Sequence, residues 1–256
     1  MIKHILKSIY KKVLSNDQRV KLYGVLGAAL DSKPILKYDM FHHIRVLKKL
    51  GFSPDFIVDA GAYKGGWTQQ VLKIYPESTF LMIEAQSSKA ADLNVLTEQF
   101  KNVHLENILL GDSERENVTF FEMETGSSIY HENTSNKRSE TLLEMKTLDS
   151  ITAKYKIKGD CFLKMDVQGA EIDILKGAEK FLNLTEFILL EVSTLDYNEN
   201  SPDFAQVIQY LHKIGFLLFD ICDEHRTDEN VLFQVDLIFV KSSSRFREAV
   251  NFKRFN

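Results

Sequence analysis

The spacing of apolar residues changes character once, near residue 56. Before it, apolar positions recur at helical intervals: Ile2, Ile5, Leu6, Ile9, Val13 and Leu14 fall on one face, with Lys3, Lys7, Lys11 and Lys12 on the remainder, which predicts an amphipathic helix. Further helical patterns cover about 17–30 and 38–50, the latter stopped by Gly51 with Pro54 soon after. From Phe56 onward, short apolar runs alternate with helical stretches, the pattern of βαβ units building a mainly parallel sheet. Strands are predicted near 56–59, 79–84, 103–109, 161–166, 187–191, 216–221 and 232–240, and helices near 67–75, 88–100, 148–155, 170–182 and 204–214.

The alternation breaks between Gly111 and Thr147. There 118–123 reads as an extra strand and 125–141 as a long polar loop, the kind of segment that serves as a lid or a binding loop. The last two strands follow one another without a helix, joined by the polar stretch 223–230, so they should form an antiparallel hairpin. The expected organisation is an N-terminal helical extension (1–51), one α/β domain (52–241) and a basic, loosely held tail (242–256).

Composition narrows the function classes. The 256 residues are 44% hydrophobic and 27% charged, ordinary for a folded soluble chain. A formal net charge of −4 gives no global attraction for a phosphate backbone, so nucleic acid is not an expected partner. Two cysteines, Cys161 and Cys222, sit in apolar runs without the paired spacing of a zinc or redox motif, and read as reduced core residues. No apolar run reaches the roughly 18 to 20 residues of a transmembrane segment, and the basic N-terminus lacks a signal-peptide core. A cytoplasmic location is the expectation. The amphipathic N-terminal helix could lie on a membrane surface, but its commoner use is packing against the domain or a second copy, so a homodimer through the N-terminal helices is also expected.

The first predicted strand runs straight into Asp59-Ala60-Gly61-Ala62-Tyr63-Lys64-Gly65-Gly66-Trp67-Thr68. Gly61 permits a sharp turn, Gly65 and Gly66 permit close approach of a ligand and of the next helix, and the helix amino terminus faces the cleft. A dinucleotide would place its pyrophosphate here, where a carboxylate at the strand end is unwelcome. S-adenosyl-L-methionine has no phosphate and carries an ammonium and a sulfonium, so Asp59 is compatible with its methionine end. Glu84 ends the second strand, where a carboxylate can accept both ribose hydroxyls; dinucleotide sites share that position, so Glu84 alone does not choose the cofactor. Trp67 is more readily a core residue than a ligand contact.

The segment CFLKMDVQGAEIDILKGAEKFL places Asp166 at the carboxyl end of the fourth main strand, followed by Gly169 and Glu171. Strand carboxyl ends face the ligand cleft in open α/β sheets, although Asp166 could instead cap the following helix. Here a family likeness becomes specific. VDAGAYKGGWT resembles the first motif of the FkbM-type methyltransferases, and LKMDVQGAEIDILKGA resembles their later motif, D-x-E-G-x-E before Leu-Lys-Gly-Ala. Smaller landmarks follow in order at 146–149, 189–191 and 236–240, and the likeness spans about 56–241. It implies a Rossmann-like class I methyltransferase sheet and S-adenosylmethionine-dependent O-methylation of a hydroxyl on a saccharide or small-molecule natural product. It also implies cofactor contacts from Asp59, Gly61, Ala62, Tyr63, Gly65, Glu84 and Ala85, with Asp166 and Glu171 on the methyl-acceptor side. Gln168 departs from the motif, standing where the family has its first glutamate; an amide keeps hydrogen-bonding reach but takes no proton.

On this reading Asp166 is the general base, with Glu171 as helper or as a helix amino-terminal acid. The polar loop with Ser127, Ser128 and His131 is a candidate acceptor wall, although His131 is more ordinarily a solvated loop residue. No obligatory metal is expected, because the cleft acids have no His or Cys cluster beside them along the chain; oxygen ligation of magnesium by Asp166, Glu171 and Glu191 is the alternative. A nicotinamide oxidoreductase is disfavoured by Asp59. A nucleic-acid base methyltransferase is disfavoured by Val167, Gln168 and Gly169, which offer no stacking aromatic. A non-catalytic protein retaining the cofactor fold is the reading that Gln168 leaves open.

Overall fold

A computed structural model describes residues 39–124, 126–131, 138–195 and 198–248. The expected helices within 1–37, residues 125 and 132–137 of the predicted acceptor loop and the last eight residues lie outside the described residues, as does any dimer contact through the N-terminal helices.

The first described helix, α1 (Met40–Lys49), is capped by Asp39, whose side chain accepts from the His42 backbone N–H. Then come β1 (Phe56–Ala60), α2 (Gly66–Leu72), β2 (Thr79–Ile83), a short 3₁₀ turn (Ser87–Lys89), α3 (Ala90–Gln99), β3 (Val103–Glu106), β4 (Leu109–Leu110), β5 (Arg115–Glu122) and β6 (Ser139–Lys146). The second half is α4 (Leu148–Thr152), β7 (Cys161–Met165), α5 (Glu171–Lys176), α6 (Glu179–Leu184), β8 (Thr185–Ser193), α7 (Phe204–Lys213), β9 (Phe216–Arg226), β10 (Leu232–Lys241) and α8 (Arg245–Glu248).

Seven strands form one sheet in the order β3-β2-β1-β7-β8-β10-β9. All neighbours are parallel except β10, which runs antiparallel to both β8 and β9. This is the mixed α/β, Rossmann-like sheet that the alternating pattern predicts. β1 and β7 lie at its centre and are buried along their whole length, as parallel strands covered on both faces must be. Their alternation sorts the core into two halves: Val58, Leu163 and Met165 pack on one side with α4 to α7, while Ile57 and Phe162 pack on the other with α1 to α3.

Four features depart from the pattern-based boundaries. Ile44 and Leu47 of α1 are fully buried in the second half-core, so this helix packs as part of the α/β domain. Phe246 of α8 makes edge-on contact with Phe52 and packs on Phe187, so the start of the basic tail is docked. The helix predicted over 170–182 is two helices broken at Gly177, where a Cβ would collide with the Gly111 carbonyl oxygen. β5 and β6 pair antiparallel and, with β4 alongside β6, make a separate three-stranded sheet around Leu109, Phe120 and Met145. That sheet stands over the carboxyl end of the main one, because Ser128 beyond β5 donates from Oγ to the Gln168 carbonyl at 2.7 Å.

Candidate active site

Strand order reverses between β1 and β7, and ligands of open α/β sheets bind at such a point beyond the strand carboxyl ends. A cleft of about 450 Å³ lies there, walled by the turns after β1, β2 and β7, the end of β8, the start of β10 and the small sheet. That volume suits a small organic ligand. Among the described residues lining it the charged side chains are Glu84, Glu124, Asp166 and Glu191, and none is lysine, arginine or histidine.

The floor is set by β1 and β7. Asp59 and Lys164 are register partners, and Lys164 Nζ lies 2.9 Å from Asp59 Oδ1 while donating to the Gly61 carbonyl at 3.0 Å. Thr68 Oγ1 donates to Asp59 Oδ2 at 2.7 Å. Burial would lower the Lys164 pKa, but the charges of Asp59 and Asp166 outweigh it and raise it. Gly61 has φ +72, and a Cβ there would strike the Asp166 carbonyl oxygen, so β1 and β7 can bring their turns together only over a glycine.

Glu84 ties two turns together. Its Oε2 accepts from Tyr63 N at 2.7 Å and its Oε1 from Gln86 N at 2.9 Å. Burial raises its pKa, partly offset by those two N–H donors. Each oxygen keeps a further lone pair for a ligand hydroxyl. At the rim, Lys64 and Lys89 each lie 3.0 Å from Glu124 and over the Tyr63 ring, so that carboxylate is locally neutralised.

On the opposite wall Gln168, at φ 53, turns its amide between two acids: Nε2 donates to Asp166 Oδ1 at 2.9 Å and to Glu191 Oε1 at 2.8 Å. A glutamate here would face two carboxylates; the amide bridges them. Burial, with Asp166 and Asp236 nearby, pushes Glu191 up to about 7. The Gln168 carbonyl accepts from both Ser128 Oγ and Asn198 Nδ2, at 2.7 and 2.8 Å.

Of the residues predicted from sequence, Gly61, Tyr63, Glu84, Ala85 and Asp166 line the cleft, as do Ser127 and Ser128. Asp59, Ala62, Gly65 and Glu171 do not. Asp59 lies beneath the floor, 1% exposed. Ala62 packs in the core, and a Cβ on Gly65 would press on Leu96 and Leu93 of α3, so Gly65 lets α2 and α3 close up. Glu171 is 4% exposed and accepts from the Gly169 N–H at 3.0 Å, supporting the turn after β7 from below; burial pushes it up to about 7. Trp67 packs on Phe162. From sequence Gln168 is read only as a departure from the motif and Glu191 only as an alternative magnesium ligand, and the cleft-facing Gln234 is not singled out. A signal exists for Asp236, which lies just behind them: an acid amid the apolar residues of β10 needs a partner.

A family model described as Methyltransferase FkbM domain matches residues 59–218. The chain belongs to the FkbM methyltransferase family. Methyltransferase 1 of Beauveria bassiana (strain ARSEF 2860) is 26% identical to this family member over 182 residues, covering 63% of this chain and 72% of that protein. The crystal structure of methyltransferase FkbM from Methylobacillus flagellatus KT shares the fold, with a TM-score of 0.50 and 16% identity over 90% of this chain. The FkbM chain described here spans 57% of the length of that one. No helix among its described residues is long and apolar enough to cross a membrane.

Proposed function

We propose that this chain transfers a methyl group from S-adenosyl-L-methionine to a hydroxyl oxygen of a saccharide or small-molecule natural product. The observation that carries the reading is the sign of the cleft: with Glu124 neutralised by its lysines, the remaining ionisable side chains, Glu84, Asp166 and Glu191, are all acids, and no described cation lines the wall. Such a site favours a cofactor with an ammonium and a sulfonium and opposes a pyrophosphate. The residues fit this group. Glu84 would accept from the ribose hydroxyls, Ile83, Ile108 and Leu109 would give the adenine an apolar slot, and the Gly61 turn would meet the methionine end, all of them residues that line the cleft.

When bound, S-adenosylmethionine supplies an electrophilic methyl carbon on sulfur and leaves as the neutral thioether. The chain's own contribution is to position the acceptor, exclude water and take one proton. Asp166 Oδ1 is held by Gln168, and Oδ2 is 3.9 Å from Lys164 Nζ, so the hydroxyl proton passes to Oδ2. Gln168 keeps Asp166 and Glu191 apart without adding a third charge. Glu171 acts through the Gly169 turn and so is a positioning residue. The Ser127 and Ser128 hydroxyls are engaged with backbone, and they shape the acceptor wall.

The deciding experiment is a thermal-shift series with S-adenosylmethionine, S-adenosylhomocysteine and NAD. The first two should raise Tm by mass action and NAD should not. Stabilisation by NAD alone would overturn the cofactor assignment. Isotope-labelled methyl donor with a panel of sugars and phenols then tests the acceptor, and label appearing on nitrogen or carbon instead of oxygen would overturn O-methylation.

A further inference from the structure

Asp236 of β10 is the register partner of Glu191 on β8, and Gln234 of β10 is the partner of His225 on β9. Cross-strand partners share a sheet face, and residues two apart on a strand return to it. Glu191, Gln234, Asp236 and His225 therefore rise from one face across three adjacent strands. His225 directs Nε2 between two carboxylates, 3.1 Å from Asp236 Oδ2 and 3.6 Å from Glu191 Oε2. One ligand atom from each of the three residues lies within 4.8 Å of the others. Adjacent ligands on one ion with bonds of about 2.1 Å stand roughly 3.0 Å apart in an octahedral set and roughly 3.4 Å apart in a tetrahedral one, so the two imidazole–carboxylate separations, the shorter of which is a hydrogen bond without an ion, are compatible with ligands sharing one.

The surroundings agree. Gln168 Nε2 donates to Glu191 Oε1, leaving Oε2 turned toward His225; an outer hydrogen bond of this kind orients a ligating carboxylate. Asp166 adds negative charge beside Glu191 and Asp236. Lys164, 3.9 Å from Asp166, is engaged by Asp59. Like charges directly opposite one another destabilise a sheet, and Glu191 and Asp236 stand opposite one another on β8 and β10.

We propose that Glu191 Oε2, His225 Nε2 and Asp236 Oδ2 hold a divalent cation of the Mn²⁺ or Zn²⁺ type at the acceptor end of the cleft. One imidazole with two carboxylates suits such ions better than Mg²⁺, which prefers oxygen ligands and retained water. Three protein ligands leave positions for water or substrate. Glu191 also lines the cleft, so the ion meets an acceptor presenting two oxygens, such as a vicinal diol of a sugar, and acidifies the bound hydroxyl. That use of the ion rests on the methyl-transfer reading; its binding does not. The family match ends at residue 218, before His225 and Asp236, and along the chain the three ligands are too scattered to form a motif, which is why the sequence alone predicts no metal.

The test is titration of chelator-stripped protein with Co²⁺ alone and Mn²⁺ alone, followed by visible absorption and electron paramagnetic resonance. One saturable site is expected, with Co²⁺ displaced by Zn²⁺ and affinity reduced roughly tenfold or more in His225→Gln and in Asp236→Asn. Melting of each variant in chelator checks that it folds. If either fails to fold, broadening of the His225 imidazole resonances of the wild-type protein by Mn²⁺ is read instead. Absence of saturable binding up to millimolar metal, binding unchanged in both folded variants, or imidazole resonances left unbroadened would overturn the site. Cofactor binding is measured separately in chelator, so loss of the metal claim leaves the methyl-transfer reading standing, and the reverse.

Discussion

Lys164 and Asp59, neighbours on the two central strands, form an ion pair at 2.9 Å with side chains only 7% and 1% exposed. Removing one partner of a buried pair leaves the other charged and unpaired, at a cost of about 3–5 kcal/mol. Lys164→Met should therefore lower stability by about that amount in urea unfolding, and pairing it with Asp59→Asn should recover part of the loss. A single variant within about 1 kcal/mol of wild type would mean that the pair contributes little to holding the floor of the cleft.

Two glycines of the same motif should respond in opposite ways. Gly61→Ala meets the Asp166 carbonyl at φ +72, whereas a Cβ at Gly66 meets nothing within 4 Å. The first should abolish folding or depress Tm severely; the second should be neutral or slightly stabilising, because alanine is the better helix former. Equal melting temperatures would refute the close approach of the β1 and β7 turns.

The two walls of the cleft should separate kinetically. Glu84→Gln should weaken cofactor binding by about 1–3 kcal/mol while leaving single-turnover rates at saturating cofactor nearly unchanged. Asp166→Asn should do the reverse, keeping cofactor affinity and lowering turnover by about 10² to 10⁴-fold. An Asp166→Asn enzyme turning over at the wild-type rate would reduce Asp166 to a structural role.

Glu171 gives a pH signature in stability. Its folded-state pKa is raised to about 7 from 4.5, so the folded protein holds this proton more tightly than the unfolded chain. The resulting stability is fully present below about pH 4.5 and is lost as pH rises through 7. Relative to Glu171→Gln, the wild-type protein should lose about 3 kcal/mol between pH 4.5 and pH 8, at about 1.4 kcal/mol per unit. Parallel curves for the two proteins across that window would show that Glu171 ionises as an ordinary carboxylate.

Much of the sheet is legible from period alone, since FIVDA and CFLKM are short, mainly apolar runs with an acid, Asp59 or Asp166, at or just past the strand end. Other parts yield to no local pattern. Of β6 only 139–141 fall in the predicted loop and 142–146 go unassigned, because the alternation Leu143-Glu144-Met145-Lys146 is short and most of the strand is exposed or half-buried. The polar stretch at 223–226 reads as a connector, yet it is the end of β9: Asp223 and His225 share the sheet face of Glu191 and Asp236, which only the register reveals. Glu171 resembles a site acid because its motif resembles one, and the Gly169 turn is what keeps it out of the cleft.

The peptide carbonyl of Gln168 is gripped by Ser128 from the small sheet and by Asn198 from the segment after β8. Two stretches of chain remote in sequence thus anchor to one peptide group directly above the amide that spaces Asp166 from Glu191. Changes in length or composition of either stretch are therefore transmitted to the acid pair through a single anchor, while the Glu84 side is built from other turns. On the proposed reading, the wall of the cleft around Asp166 and Glu191 can diversify by altering its insertions without re-engineering the turns that hold Glu84.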